Sequence, residues 1–206
     1  GFGTLTLANI EDAQLTGGAG INAIDASGFT LGTVTMTGDA GVDTFTGSAT
    51  RLTDIVQETR DVIFTLTDTS LIIGAEGTDV LVDIDIANLT GGASSTTFIV
   101  SGWTGAGTLD GAGGGADLVV ASKDADFTLT NSSLDSTDGM ALILTVTNME
   151  VANLTDSGTG DRSFTVDGWT GTGIMDGGAG TADTINKTSN DTFSLTDPAL
   201  STSDGM

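Results

Sequence analysis

Residues 167–183, DGWTGTGIMDGGAGTAD, restate residues 101–117, SGWTGAGTLDGAGGGAD, and a chain that repeats itself must be read as a repeat before anything else. Gly102, Trp103, Thr104, Gly105, Gly107 and Asp110 recur as Gly168, Trp169, Thr170, Gly171, Gly173 and Asp176. A weaker copy lies at 27–43, with Phe29 in the place of the tryptophans. Two further anchors set the period. Ala87-Asn88-Leu89 returns at Ala152-Asn153-Leu154, and Phe127-Thr128-Leu129-Thr130 returns at Phe193-Ser194-Leu195-Thr196, so the unit is about 65 residues. The units run over 1–75, 76–140 and 141–206, and the first carries a non-repeating insertion at 47–61.

Each unit divides again. Glycine-rich corners recur at steps of about 20 residues, as at Gly17 and Gly38, Gly91 and Gly111, and Ser157 and Gly177. A poorer third corner closes each unit, near Gly74, Ser136 and Ser203, which predicts three coils of about 22 residues per unit. Between corners lie short segments in which apolar residues alternate with threonine: Leu5–Leu7, Thr33–Met36, Phe64–Leu66, Val80–Val82, Leu142–Val146 and Ser163–Val166. Period-two alternation buries one face of a strand and leaves the other wet, and threonine suits the wet face. The reading is an all-β chain, a parallel β-helix (β-solenoid) forming a single elongated body over 1–206. A helical spacing of Leu52, Ile55 and Val56 marks Arg51–Thr59, within the insertion, as a short helix or a plain loop.

Composition narrows the function. The 206 residues hold 31 glycines, one proline and no cysteine or histidine, with 28 acids against five bases and a net charge of −23. Disulfides, thiol chemistry and histidine- or cysteine-based zinc and copper sites are excluded. Five bases cannot neutralise phosphates, so nucleic acid is excluded as a partner, and no apolar run approaches a membrane span. Regular alternation and positive mean hydropathy argue against disorder despite the charge. The termini are in phase. Setting Gly1 opposite Met140 aligns Leu5, Thr6, Asn9, Glu11, Ala13 and Leu15 with identical residues, while Asp204-Gly205-Met206 matches Asp138-Gly139-Met140. This suggests a window of a longer array, or a unit that stacks head to tail on copies of itself.

Two resemblances rest on these residues. The corner Gly38-Asp39-Ala40-Gly41-Val42-Asp43-Thr44-Phe45 resembles the nonapeptide of RTX proteins, GGxGxDxUx, and Gly17–Ile24 follows it with Asn22 for the aspartate. The corners at 111–117 and 177–183 follow more loosely, and none runs in the tandem array of that family. The resemblance implies Ca²⁺ at Asn22, Asp39, Asp43, Asp117 and Asp183, with Asp110 and Asp176 adding charge. Read from the residues alone, the same acids are corner caps bonding to backbone. The segments Val151–Thr155, Ser101–Asp110 and Phe64–Leu71 make nearly the whole chain similar to the ~65-residue repeats of very large secreted bacterial surface proteins. That similarity implies a secreted or cell-surface location and a role as stalk, filament or adhesin.

No catalytic constellation stands out, because the acids repeat with the corners instead of gathering in one groove. Thr-x-Thr pairs skip coils and change register, which disfavours an ice-binding face. The expectation is therefore a non-catalytic structural segment of an extracellular rod that propagates end to end. The alternative is an adhesin that binds glycan or a cell surface, through the insertion with Arg51 and Arg60 or through Trp103 and Trp169, although the tryptophans read more simply as plugs of their own corners. Sequons at Asn88 and Asn153 offer weak glycosylation sites or a corner ladder.

Overall fold

The computed structural model describes residues 4–50, 53–145, 148–197 and 199–206. All of its regular structure is β. The first stretch places β1 (Ala13–Thr16), β2 (Ala23–Asp25), β3 (Val34–Thr37), β4 (Thr44–Thr46) and β5 (Asp54–Thr59). Next come β6 (Phe64–Thr67), β7 (Ser70–Ile73), β8 (Gly77–Val82), β9 (Ile86–Thr90), β10 (Thr97–Gly102), β11 (Ala106–Asp110) and β12 (Leu118–Lys123). The last part holds β13 (Phe127–Thr130), β14 (Ser133–Ser136), β15 (Ala141–Leu144), β16 (Val151–Asp156), β17 (Ser163–Thr165), β18 (Thr172–Asp176), β19 (Thr184–Asn186), β20 (Phe193–Thr196) and β21 (Ala199–Thr202).

Most of these strands belong to two sheets, and the chain passes from one to the other at nearly every corner. One sheet has ten strands in the order β1-β3-β5-β9-β11-β15-β14-β13-β17-β19, and the other nine, β18-β16-β12-β10-β6-β7-β8-β4-β2. Parallel pairing follows the corner spacing: Ala13 opposes Val34, Ala23 opposes Thr44, Thr97 opposes Leu118 and Val151 opposes Thr172. Alternation then sends every second side chain inward. In β3, Val34 and Met36 are buried while Thr35 and Thr37 stay half-exposed, and β6, β10 and β16 repeat the pattern. Inward residues of both sheets join in one cluster, which includes Phe45, Phe64, Leu89, Phe98, Leu109, Leu129 and Leu154. Strands in register bring like residues together, so Phe64 stacks on Phe98 at 5.5 Å and Phe127 on Phe164 at 5.7 Å.

In the first two units the third interval departs from the expected third coil, and in the last it holds the antiparallel hairpin β20-β21. In the first two the chain doubles back within one sheet as a three-stranded antiparallel meander, β6-β7-β8 and again β13-β14-β15. The cause is local. Phe64–Thr67 and Ser70–Ile73 are separated by only Asp68 and Thr69, and Phe127–Thr130 and Ser133–Ser136 by only Asn131 and Ser132, two-residue links that suit a hairpin and cannot cross between sheets. From one meander to the next the chain runs through four single strands, β9 to β12, and so crosses between the sheets five times, an odd number. Consecutive meanders therefore fall in opposite sheets. The unit boundaries at 75 and 140 lie in corresponding turns, between the second and third strands of each meander.

Two local expectations are corrected. The segment marked as helix or loop is β5 over Asp54–Thr59, parallel to β3 and β9 and so part of the ten-stranded sheet, while Arg51 and Leu52 lie outside the described residues. Inward Asp54, Val56 and Glu58 give it period two, and pairing on both edges overrides the helical spacing. Leu5–Leu7 belongs to no strand among the described residues, and both leucines are exposed.

The stacked phenylalanines set the expectation for stability. Phe98→Ala removes a ring buried between neighbours on both sides and should cost about 3–5 kcal/mol in denaturant unfolding, with little change in m-value.

Candidate functional site

The residues singled out by the sequence sit at the corners, where a strand of one sheet ends and the chain turns toward the other. Parallel strands leave a donor unpaired there. The carbonyl of Asn22 accepts the Thr44 N–H of the next layer, but the Asn22 N–H finds no carbonyl and instead donates to Asp43 Oδ1 at 2.7 Å. Asp43 repeats the arrangement one layer on, donating its own N–H to Asp79 Oδ1 at 2.7 Å. A second column runs from the Thr96 N–H to Asp117 Oδ1 at 2.6 Å, and from the Asp117 N–H to Glu150 Oε2 at 2.8 Å. In a third the Arg162 N–H donates to Asp183 Oδ1 at 2.7 Å. Each carboxylate thus completes the ladder for the layer before it, and the acids recur with the layers because the orphaned donors do. A buried N–H without a partner would cost about 1–3 kcal/mol.

Glycine opens each corner because the acid lies where a side chain would begin. A Cβ on Gly38 would stand 2.2 Å from Asp43 Oδ2, and one on Gly111 would stand 2.3 Å from Asp117 Oδ2. Gly17 with Asn22 and Gly177 with Asp183 are the same pair. The spacing that resembles the RTX nonapeptide is here that of a glycine and the acid folded over it.

The other expected ligands are separate from these columns. Asp110 accepts the Ala112 N–H and the Asn148 amide, and exposed Asp176 accepts the Gly178 N–H. Asp39, in a left-handed conformation at φ 66°, faces Arg60 at 3.0 Å. Among the described residues no three of His, Cys, Asp or Glu gather closely enough to hold a metal ion. One oxygen of Asp43 and one of Asp117 lack a hydrogen-bond partner, but they belong to different corners, whereas calcium takes six to eight oxygens. These side chains do not build a calcium cage among themselves.

Of the residues offered for binding, the two tryptophans are turned inward. Trp103 and Trp169 are each 1% exposed. Their indoles fold over Gly105 and Gly171, where a Cβ would come within 2.5 Å and 2.4 Å of the ring, which accounts for the Trp-Thr-Gly order. Arg60 lies among Asp39, Glu58 and Glu76 at 3.0, 3.8 and 3.2 Å. Asn88 sits in β9 opposite Gln57 and Thr108, and Asn153 Oδ1 accepts the Ile174 N–H at 3.1 Å.

Two lysines escape a reading of the sequence. Lys123 Nζ donates to the Trp103 carbonyl at 2.6 Å and to Asp138 at 2.8 Å, and Lys187 Nζ donates to the Trp169 carbonyl at 2.6 Å and lies 3.2 Å from Asp204. Both side chains are almost wholly buried. Each clamps a tryptophan corner to the Asp-Gly-Met turn that ends the same unit. Burial alone would raise the Asp138 carboxyl, yet hydrogen bonds from Lys123 and Ser136 outweigh it and hold it below the usual range. The signal is present in outline: the lysines lie 20 and 18 residues after their tryptophans, a mismatch that hides the equivalence.

Burial disturbs Glu58 most clearly. It is fully buried and accepts the Gly38 N–H at 2.7 Å. Burial pushes its carboxyl up to about 7, against the pull of that N–H and Arg60 and with the help of Asp79 and Asp43. Burial likewise raises Asp79 and Asp117.

No protein-family model, curated protein or solved structure matches the chain. Among the described residues no helix is long and apolar enough to cross a membrane.

Two outcomes follow from the corners. Gly38→Ala drives a methyl group into the Asp43 carboxylate and should cost about 1–3 kcal/mol, whereas Gly18→Ala, with nothing within 4 Å of the added carbon, should stay within about 0.5 kcal/mol of wild type in the same unfolding assay. Glu58 is raised in the folded state, so its contribution is fully present below its ordinary value of 4.5 and is lost as pH rises through about 7. Glu58→Gln should therefore raise Tm at pH 8, by the equivalent of roughly 1–2 kcal/mol after allowance for solvent screening, and flatten the fall in Tm between pH 5 and 8.

Proposed function

We propose that this chain is a structural, non-catalytic segment of an extracellular rod, a parallel β-helix that grows by adding layers end to end. The observation that carries the reading is the parallel pairing at the corner spacing, with strands passing alternately between two sheets that share one core. The side chains that could carry chemistry are largely taken up by the fold. Its corner acids Asp43 and Asp117 bond to backbone donors, both tryptophans are inside, and two of its five bases clamp turns. What it offers instead is length: ten and nine strands at ~4.8 Å spacing make a body roughly 45 Å long.

A secreted or cell-surface location follows from the same reading, since a rod of this charge stays dispersed through self-repulsion and suits a projecting stalk or filament. Arg60 is held between acids and so has less to present to a glycan, which favours rod over adhesin. Calcium enters as a stabiliser to be tested, because the unpartnered oxygens of Asp43 and Asp117 are the feature of these corners that favours a metal.

Electron microscopy of the purified chain at rising concentration should show straight, unbranched rods whose length grows in steps of roughly 45 Å. Single compact particles at every concentration would end the rod proposal. Tm should be unchanged by excess chelator; a rise produced by Ca²⁺ and not by Mg²⁺ would reassign the corner carboxylates as ligands.

A further inference from the structure

The outer faces of the two sheets differ in a way that the core does not explain. Strand alternation turns Leu118 and Val120 of β12, Ile99 of β10, Ile72 of β7 and Val80 of β8 away from the core of the nine-stranded sheet. Register gathers them. Val120 opposes Ile99, Ile99 opposes Thr65 and Thr65 opposes Ile72, so these side chains form a row across the sheet, with Leu118 and Val151 paired beside it. Ile72 and Val80 remain 37% and 43% exposed. From β4 to β16, among the described residues, no outward position of this sheet carries a charge, although the chain holds 28 acids. The ten-stranded sheet instead presents Gln57, Asn88 and Thr108 in one row, and outward Asp110 and Asp135 lie within it.

A wet strand face needs only threonine, so an uncharged aliphatic field marks a surface that something covers. Its charge and its size both bear on the occupant. A face without charge has nothing with which to hold an ionic ligand, and a chain of net charge −23 is repelled by an anionic membrane. A second copy of the same face meets neither objection, because exposed acids such as Asp39 and Asp124 stand at corners, off the field. Nine strands at ~4.8 Å spacing, with alternate residues roughly 7 Å apart, give a face roughly 40 Å by 15 Å. Two such faces would bury about 1,200 Å² in all, which reaches the lower bound for a specific interface.

We propose that the outer face of the nine-stranded sheet is the contact through which two copies of the chain pair side by side, sheet on sheet. The contact is isologous: each copy offers the same patch, and β-branched side chains of one sheet interdigitate with those of the other at a sheet separation of about 10 Å. That separation also sets the electrostatics. Corner acids of the two copies flank the contact at a distance comparable to the Debye length of about 10 Å at 0.1 M salt. Self-repulsion therefore holds copies apart at low ionic strength, and salt releases the pairing without weakening it, since the face itself has no ion pair to screen. Pairing of this kind widens a rod and does not lengthen it, so it is independent of end-to-end growth.

Sedimentation equilibrium of the full chain at low and high NaCl reads the pairing. A dimer should form, and its Kd should fall at least about tenfold between roughly 20 mM and 500 mM salt. The double variant Ile99→Thr with Val120→Thr keeps β-branching in both strands and strips apolar surface from the face, and should weaken the dimer at least about tenfold. Ile55→Thr with Ile86→Thr makes the same change on the outer face of the ten-stranded sheet and should stay within about twofold of wild type. Should the first double variant lose its melting transition, Ile72→Thr, at an exposed position of a hairpin strand, tests the same face. A chain that stays monomeric at every salt and concentration would overturn the pairing, as would a dimer that both double variants weaken equally. So would a monomer that floats with phosphatidylcholine vesicles and loses this with Ile99→Thr and Val120→Thr, which would give the face to lipid. In electron micrographs, rods that lengthen but keep a single width in high salt would leave the rod standing and refute the pairing. Bodies that double in width and never lengthen would uphold the pairing and refute the rod.

Discussion

A parallel ladder leaves backbone donors without acceptors wherever the chain turns out of the sheet, and this architecture depends on how those donors are filled. The carbonyl of a corner residue is used by the layer above, but its N–H points to where that layer has already turned away. A carboxylate or amide reaching back from the next layer fills the gap, as Asp43 does for Asn22 and Asp117 does for Thr96. The acid needs room close to the backbone, and glycine provides it. Corner glycine and corner acid are thus one device, repeated because each layer presents the same vacancy to the next.

That device determines the electrostatics of the molecule. Acids are needed at buried or half-buried corners, and a stack of layers brings them near one another, so the cost of desolvation is concentrated at residues such as Glu58, Asp79 and Asp117. The bases that the structure describes are placed against that cost or against a loose turn. Arg60 lies beside Glu58, Arg162 beside Asp124 and Asp156, and Lys123 and Lys187 tie tryptophan corners to Asp138 and Asp204. Asp43 and Asp54 are buried as well, so the cost is spread along the corners.

Much of this is legible along the chain. Thr35 and Thr37 between Val34 and Met36 announce which face is wet, and the step from Gly17 to Gly38 announces the layer spacing. The meanders are legible in principle, because Asp68-Thr69 and Asn131-Ser132 are two-residue links between alternating segments, but a regular period invites a third coil in their place. The strand β5 is hidden because Leu52, Ile55 and Val56 satisfy a helical spacing that pairing on both edges overrides. The roles of Asp43 and Asp117 stay open in one dimension, since a glycine-rich corner ending in aspartate serves a calcium ion and a backbone donor equally well on paper.

The amino-acid order by itself determined the repeat, its long period, the corner spacing and the side of each strand that turns inward, because all of these are one-dimensional patterns of size and polarity. Only the tertiary structure decided that every third interval folds back within its sheet, that an odd number of crossings throws successive meanders into opposite sheets, and that the corner acids face backbone N–H groups. Those outcomes depend on which strand lies next to which, and hydrogen bonding between layers sets that for partners as far apart in the chain as Phe127 and Phe164.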